Sequence, residues 1–413
     1  MVATKYLCAV RTIGRLRSTL DAARLRENAF TRRRKMSFAD ALTFLLDMRK
    51  TTLQTRLNLF FEKTEGGEPI SQQAFSKLRM NFDHSPFETM VRTTVLQEYS
   101  GKYALPVWND YHVFAVDGSY LQLPRTDALR EEFGVRGGGN QPNAGVSVLY
   151  DVLNNWALDP IITRTDMSER NECEKHIRFL SEQLPHIAAK SILTIDRGYP
   201  SLDMFEKIQS AGLKFVARCS SAALSEINNA PLGDTVVTLR NNQSVRIVKF
   251  VLENGNTATL ATNIFDLSAD AFPELYSLRW KIETAYFRLK QELSIEKFSG
   301  ETPNTVRQDF WASMVIFNCV AVFQNEADEA IAMRHEKEHT KHRYRARTSD
   351  LIITLRDRFI FATLCGHPSL APIELNDIAK TLSRAVSPIR PGRHYKRVFR
   401  WQNTNNHNLK SRL

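Results

Sequence analysis

The sequence predicts an α/β fold in which helices cover the faces of a mixed β-sheet, between helical regions at both ends of the chain. From about residue 111, apolar runs of strand length alternate with segments of helical periodicity, which is typical of such a sheet. Before and after that stretch, apolar residues recur at helical spacing. A chain of 413 residues can form two or three domains. We expect a helical domain at 1–105, an α/β domain at 106–304, and a helical region with a basic tail at 305–413.

The first domain is predicted to contain at least two helices. Apolar residues recur at helical spacing from Ser37 to Leu59, and Ser37 is a suitable N-cap. A shorter helix is expected from Ser71 to Met80, with Lys77 and Arg79 on its exposed side. This pattern fits a helix-turn-helix element that binds DNA, and it fits an ordinary surface helix equally well. In the first interpretation, Lys77 and Arg79 contact DNA.

The second domain is predicted to contain the sheet. Its elements follow the order β-β-β-α-β-α-β, which is the order of a ribonuclease-H-like core. Three further segments between residues 220 and 265 alternate like antiparallel strands and predict an inserted β-rich subdomain. A long helix is then expected from Pro273 to about Leu293, because proline is favoured in the first turn. The predicted core elements are strands His112–Asp117, Gly145–Tyr150, Trp156–Thr163, Ser191–Asp196 and Leu213–Ala217, and helices Ser168–Leu184 and Ser201–Gln209.

The charge of the chain favours a polyanionic partner. The formal net charge is +11 and the sequence pI is about 9.4, which indicates nucleic acid first and an acidic membrane second. Basic residues concentrate in Met1–Phe60, Arg334–Arg347 and Arg390–Arg412. No apolar run in the sequence is long enough to cross a bilayer, so we expect no membrane partner. The five cysteines form no paired motif and are typical of reduced thiols in the cytosol.

Three carboxylates stand out as a candidate metal site. Asp117 and Asp196 each end a predicted apolar strand, which is where α/β sheets present functional side chains. Glu283 lies at the border of the apolar stripe of the long helix. Three converging carboxylates repel one another unless a cation lies between them, and Mg²⁺ prefers such oxygen ligands. Two such ions can activate a water molecule and stabilise a leaving 3′ oxygen.

The long helix also carries two cations and a phenol beside its glutamate. At about 100° per residue, Tyr276, Arg279, Glu283 and Lys290 fall within an arc of about 60°. Arg279 and Lys290 are suited to bind phosphates there, and Tyr276 to pack or hydrogen-bond beside them. A solvated helix face with internal ion pairs is the alternative interpretation of the same residues.

The same residues carry a resemblance to a known family. The spacing Tyr-two-Arg-three-Glu-six-Lys at Tyr276, Arg279, Glu283 and Lys290 resembles the signature of the IS-four-like family of bacterial insertion-sequence transposases, of the DDE type. The stretches Val116-Asp117-Gly118-Ser119 and Asp196-Arg197-Gly198-Tyr199 are similar to the settings of that family's two aspartates. The resemblance extends from about Tyr111 to Gly300.

The resemblance implies a function and a role for each of these residues. It implies cut-and-paste DNA transposition, with Asp117, Asp196 and Glu283 as catalytic ligands of two Mg²⁺ ions, for which Mn²⁺ may substitute. Tyr276, Arg279 and Lys290 would contact the backbone of the transposon end, and Arg197 and Tyr199 would contact DNA near the cut. The implied partners are inverted-repeat ends, target DNA and a second subunit in a homodimeric synaptic complex. The implied location is the bacterial cytoplasm, in association with the nucleoid.

Two other functions remain open from the residues alone. One is a non-catalytic or domesticated DNA-binding protein that retains the transposase fold. The other is a zinc protease, because His335-Glu336-Lys337-Glu338-His339 matches the H-E-x-x-H motif. The flanking residues are strongly basic and polar, with no apolar face to bury a site, so a solvated or DNA-facing helix is favoured over the protease.

Overall fold

The computed structural model describes residues 2–47, 51–64, 67–100, 105–221, 224–337, 342–355 and 386–389. The chain divides into two compact units. The first, here the helical unit, comprises Met1–Thr94, Gln122–Pro142 and Leu289–Leu413. The second, here the sheet unit, comprises Val95–Leu121 and Asn143–Arg288. The basic tail at Arg390–Arg412 and the second histidine of the H-E-x-x-H motif, His339, lie outside the described residues.

In the central part of the described chain, helices alternate with strands. The parts toward both ends are mainly helical. The helices are α1 (Val2–Arg15), α2 (Arg17–Ala23), α3 (Phe38–Leu46), α4 (Leu53–Lys63), α5 (Gln72–Arg79), α6 (Ser85–Tyr99), α7 (Asp127–Phe133), α8 (Glu169–Gln183), α9 (Pro185–Ala188), α10 (Leu202–Ser210), α11 (Ser225–Asn228), α12 (Ala271–Ser277), α13 (Trp280–Phe287), α14 (Pro303–Lys337) and α15 (Thr348–Thr354). The strands are β1 (His112–Gln122), β2 (Asn143–Asp151), β3 (Trp156–Arg164), β4 (Ser191–Ile195), β5 (Lys214–Cys219), β6 (Gly233–Thr238), β7 (Ser244–Val251), β8 (Thr257–Thr262), β9 (Tyr344–Ala346) and β10 (Val386–Pro388).

The sheet unit is built on one eight-stranded mixed sheet in the order β3-β2-β1-β4-β5-β8-β7-β6. The pairs β1–β4 and β4–β5 are parallel, whereas β2–β3, β5–β8, β7–β8 and β6–β7 are antiparallel. All five residues of β4 are buried, as expected for a central parallel strand covered on both faces. The predicted α/β fold with a mixed sheet is therefore confirmed.

Two details of the predicted sheet are corrected. Asp117 does not end its strand, because β1 continues to Gln122. β1 borders β2 on one side and β4 on the other, so its backbone stays hydrogen-bonded after the shorter β4 has ended. The β-rich insert is not a sheet of its own. Strand β8 pairs with β5 through Val216–Cys219, so β6, β7 and β8 extend the edge of the same sheet.

The N-terminal helices begin at the expected capping residues, but one predicted helix is divided into two. Ser37 caps α3 through a capping box with Asp40, and Ser71 caps α5. Their hydroxyls accept hydrogen bonds from backbone N–H groups of the first turn, which have no partner within the helix. The helix predicted from Ser37 to Leu59 is two helices, α3 and α4, and Thr52 caps the second. A new N-cap within the apolar run therefore begins a second helix that the periodicity alone does not separate.

One charged residue of α5 is placed differently from the prediction. Arg79 is 1% exposed, and its guanidinium donates hydrogen bonds to side chains or carbonyls of α14 and of the segment before it. The prediction that Arg79 lies on the exposed side is wrong, because its charge is matched by Asp309 at 3.1 Å inside the helical unit. Lys77 is exposed as expected.

The helical unit brings together the first and third regions of the chain. The phenol of Tyr6 in α1 donates a hydrogen bond to the carbonyl of Val315 in α14 at 3.0 Å. The division into three domains stays a prediction, although this packing joins its first and third parts. No helix among the described residues is long and apolar enough to span a membrane.

Candidate active site

The two aspartates emerge at one edge of the sheet because β1 and β4 are parallel neighbours. The register pairs Ala115 of β1 with Thr194 of β4. Asp117 and Asp196 each follow that pair by two residues, so the two strands deliver them in the same direction. β4 ends at Ile195, which leaves Asp196 in the loop after it. This is the end of a parallel sheet at which α/β proteins present functional side chains.

The phenol of Tyr276 and the guanidinium of Arg279 both contact the second aspartate, Asp196. The hydroxyl of Tyr276 donates a hydrogen bond to Oδ1 of Asp196 at 3.0 Å. Arg279 Nη2 lies 3.9 Å from Oδ2 of the same carboxylate, and the Arg279 guanidinium lies over the Tyr276 ring at 5.7 Å from its centroid. The segment therefore stacks its cation on its phenol and directs both at the Asp196 loop.

Arg279 also binds the glutamate one turn further along the helix. Its Nη2 donates a hydrogen bond to Oε1 of Glu283 at 2.9 Å. Arg279 is 5% exposed, whereas the Glu283 side chain is 33% exposed, so the cation of this pair is shielded from water and the carboxylate is partly open to it. The helix predicted from Pro273 to Leu293 is divided into α12, α13 and a π-helical turn at Arg288–Glu292, and Arg279 lies between α12 and α13.

Helix α13 is fixed to the sheet on both sides of Glu283. The hydroxyl of Tyr286 donates a hydrogen bond to the backbone carbonyl of Asp117 at 2.8 Å. The ammonium of Lys281 donates to the carbonyl of Val152 at 2.7 Å. These two anchors hold Glu283 at the edge of the sheet from which Asp117 projects.

The electrostatic environment of Asp117 favours the neutral acid. The pKa of Asp117 is raised to about 6, mainly by burial; Arg279 and the Gly118 backbone N–H oppose the rise, and the charges of Glu169 and Glu283 add to it. Several negative charges therefore act on one carboxyl that is partly removed from water. A bound cation would relieve this repulsion.

The donor set suits a divalent ion, with one rearrangement. Within the described residues, no three acidic, histidine or cysteine side chains are close enough together to hold a metal ion. Glu283 is held instead by Arg279, which supplies the positive charge among the acids. Carboxylate oxygens are the ligands that Mg²⁺ prefers, so the chemistry of Asp117, Asp196 and Glu283 suits such an ion, and binding it would require these side chains to move closer together.

The structure adds a fourth carboxylate that the sequence did not indicate. Glu169, the first residue of α8, raises the pKa of Asp117 by its charge. One of its oxygens lies 3.3 Å from the position that a Cβ on Gly118 would take. An acid in the first turn of a helix is usual for its effect on the helix dipole, so the sequence held no signal of this placement.

The other residues that were predicted to contact DNA differ in their exposure. Arg197 is exposed directly after Asp196. Tyr199 is 1% exposed, because its ring packs inside the sheet unit, and its contact with DNA stays a prediction. Lys290 lies in the helical unit, where burial lowers its pKa, and its contact with DNA stays a prediction.

A second arrangement in the sheet unit resembles a hydrolase relay and is sealed. Ser147 Oγ lies 2.9 Å from Nε2 of His176, whose Nδ1 lies 2.8 Å from Oδ2 of Asp159. All three are at most 3% exposed, so no substrate reaches the hydroxyl. The chain of hydrogen bonds joins α8 to β2 and β3 and thereby fixes the position of that helix.

The chain is similar to known transposases over its sheet-bearing part. A family model described as the transposase DDE domain matches residues 108–319. The InsG transposase of insertion sequence element IS4 from Escherichia coli (strain K12) is 26% identical over 240 residues, which is 52% of each chain. A probable transposase of element IS5377 from Geobacillus stearothermophilus is 25% identical over 158 residues, or 35% of this chain and 41% of that one.

A solved structure shares the fold. A piggyBac transposase in a synaptic complex with hairpin DNA superposes with a TM-score of 0.50 at 10% identity, and the match covers 90% of this chain and 84% of that chain. At this identity the likeness shows the fold alone. The chain spans about half the length of the curated relatives that it matches.

Proposed function

We propose, for a chain that belongs to the transposase DDE-domain family, that it cleaves DNA at the inverted-repeat ends of its insertion sequence and transfers the freed strands to target DNA. One observation carries this proposal. Asp117 within β1 and Asp196 directly after β4 lie at equivalent positions of parallel neighbouring strands, and the helix that carries Glu283 is hydrogen-bonded to the Asp117 carbonyl through Tyr286. A water-activating site for phosphodiester cleavage needs such converging carboxylates.

The three carboxylates would hold two divalent ions, Mg²⁺ with Mn²⁺ as a substitute. When bound, the ions supply activation of a water nucleophile and charge stabilisation of the leaving 3′ oxygen. Tyr276 orients Asp196 through its hydrogen bond. Arg279 holds the Glu283 carboxylate in the metal-free protein, and on release it can turn its guanidinium to a DNA phosphate, for which its fork geometry is suited.

The partner in this proposal is DNA, contacted by exposed cations. Arg197 beside the second aspartate and Lys77 on α5 are both exposed, and Lys290 extends the set in the helical unit. The net charge of +11 supports non-specific attraction to the phosphate backbone. Two DNA ends must be held together for transfer, so we propose a homodimer in the synaptic complex. The expected location is the bacterial cytoplasm, at the nucleoid.

A cleavage assay tests the proposal. The purified protein is incubated with a plasmid that carries the native flanks of its gene, with and without Mg²⁺. We expect Mg²⁺-dependent breaks at the element ends, lost in Glu283→Gln and retained in Glu274→Gln. Glu274 is the matched control because it is an exposed glutamate on α12 of the same segment.

The other outcome favours the second function. Specific binding to the ends without cleavage, equal in the wild type and in Glu283→Gln, would support a non-catalytic DNA-binding protein that retains the fold. The zinc protease has less support. The ring of His335 stacks on that of Tyr344 at 4.5 Å between centroids, which is an ordinary packing role for the only histidine of the motif within the described residues.

A further inference from the structure

The first turn of α8 lies against strand β1 after Asp117 and against the loop that follows Asp196. Oε1 of Glu169 lies 3.3 Å from the position of a Cβ added to Gly118, the residue after Asp117. Oε2 of Glu169 lies 3.5 Å from the corresponding position at Gly198, two residues after Asp196. The carboxylate therefore lies between Gly118 and Gly198, and a Cβ at Gly118 would crowd it.

The placement of Glu169 is fixed by the helix that carries it. Cys173 and His176, four and seven residues further along, lie on the same face of α8, and both are completely buried. His176 is tied to β2 and β3 by the sealed hydrogen-bond chain. At the other end, Arg170 Nε donates to the carbonyl of Gly198 at 3.0 Å. Glu169 is thus held at the site by contacts on both sides of it.

The side chain of Glu169 is exposed at this position, so its carboxylate is accessible from solution. An acid that served only the helix dipole could occupy this position. That role does not account for its place between Gly118 and Gly198, where its negative charge raises the pKa of Asp117.

A second observation points to a ligand at the same place. The hydroxyl of Tyr199 is buried and has no hydrogen-bond partner in the part of the chain that the structure describes. The ring is 1% exposed. Glu169 and Asp117 are both near enough that their charges add to the effect of burial in raising the pKa of Tyr199. Leaving a buried hydroxyl without a hydrogen-bond partner is unfavourable, and a carboxylate rearranged around a cation would offset this by accepting a hydrogen bond from it.

We propose that Glu169 is a fourth carboxylate ligand of the divalent-cation site, on the side of Asp117, and that Tyr199 donates a hydrogen bond to the carboxylates of the loaded site. This inference rests on the proposed function, because it uses the same site. Glu169 binds without first breaking an ion pair. Glu283, by contrast, must leave Arg279.

Mn²⁺ binding to the full-length protein tests the assignment without DNA or turnover. Free Mn²⁺ is counted by its electron paramagnetic resonance signal during a titration. We expect Glu169→Gln to weaken binding at least about tenfold, which is the lower end of the effect of losing a group at a metal site. Glu182→Gln, which removes the same charge from an exposed position near the end of α8, should bind as the wild type does.

Two further variants separate the possible failures. If Asp117→Asn abolishes Mn²⁺ binding and Glu169→Gln leaves it unchanged, the three-carboxylate site stands and the role of Glu169 is overturned. If Asp117→Asn also leaves binding unchanged, the proposed site itself fails. Glu169→Asp keeps the charge on a shorter side chain, and we expect it to recover part of the affinity. Circular dichroism of each variant excludes loss of folding as the cause.

Discussion

Arg279 Nη2 donates a hydrogen bond of 2.9 Å to Oε1 of Glu283, so the guanidinium is the counter-ion of this glutamate. Arg279 is 5% exposed, and its Nη2 lies 3.9 Å from Oδ2 of Asp196. A single guanidinium thus offsets part of the repulsion among the acids. In the proposed function, divalent ions would replace this counter-ion.

Replacing Arg279 tests its effect on the first aspartate. Arg279 lowers the pKa of Asp117 against the larger effect of burial. In Arg279→Met, a change to an uncharged side chain, we expect the pKa of Asp117 to rise above its value of about 6. Carbon-detected NMR titration of the metal-free protein measures it, with Arg164→Met, an exposed arginine of the same unit, as the control. An unchanged or lower pKa would contradict the arrangement.

Replacing Asp117 by asparagine should stabilise the metal-free protein in a pH-dependent way. The folded pKa of about 6 lies above the ordinary aspartate pKa of 3.8, so the wild type loses stability as pH rises from about 4 through about 6. Asparagine does not ionise and escapes this loss. At about pH 8 we expect the free energy of unfolding of Asp117→Asn to be about 2 kcal/mol higher than that of the wild type. Near pH 4 we expect little difference.

Urea unfolding in the presence of a chelator measures this difference at several pH values. The exposed aspartate of Asp203→Asn provides the control, since Asp203 pairs with Lys207 away from the site. If the difference in the free energy of unfolding between Asp117→Asn and the wild type stays constant from pH 4 to pH 8, the pKa of Asp117 is not raised in the folded protein.

Removing the hydroxyl of Tyr276 should affect cleavage more than folding. Tyr276→Phe loses the hydrogen bond of 3.0 Å to Oδ1 of Asp196, and a bond of this kind contributes about 1.5 kcal/mol or more when its acceptor is charged. We expect cleavage to fall about tenfold, with thermal unfolding shifted little. Tyr111→Phe is the control, because the hydroxyl of that exposed tyrosine bonds only weakly, at 3.4 Å to Asp266. Equal cleavage rates in both variants would show that the Tyr276 hydroxyl has no role in the site.

The two cations of α5 should separate folding from DNA binding. Arg79→Met removes the cation that is paired with the buried Asp309, and breaking such a pair costs about 3–5 kcal/mol. We therefore expect Arg79→Met to lower the free energy of unfolding strongly. Lys77→Met, on the exposed side of the same helix, should leave stability unchanged and weaken DNA binding measured by fluorescence anisotropy. Equal stability of both variants would contradict the burial of Arg79.

Much of the fold follows from local sequence signals. The apolar runs that end near Asp117 and Asp196 form strands, and the serines at positions 37, 71, 168 and 201 cap helices, because capping and periodicity act within a few residues. The order of the elements was sufficient to predict the mixed sheet. The sequence did not show that β6 to β8 join the same sheet, since strand pairing between β5 and β8 depends on contacts distant in the chain.

For the candidate site, the sequence by itself determined which residues are brought to the edge of the sheet. The spacing of Tyr276, Arg279 and Glu283 places them on one side of a helix, and strand-terminal positions favour the two aspartates. Only the tertiary structure decided that Arg279 holds Glu283, that Tyr199 and Arg79 are buried, and that Glu169 lies between the residues that follow the two aspartates. Charge and periodicity are properties of single elements, whereas burial and ion pairing depend on which elements pack together.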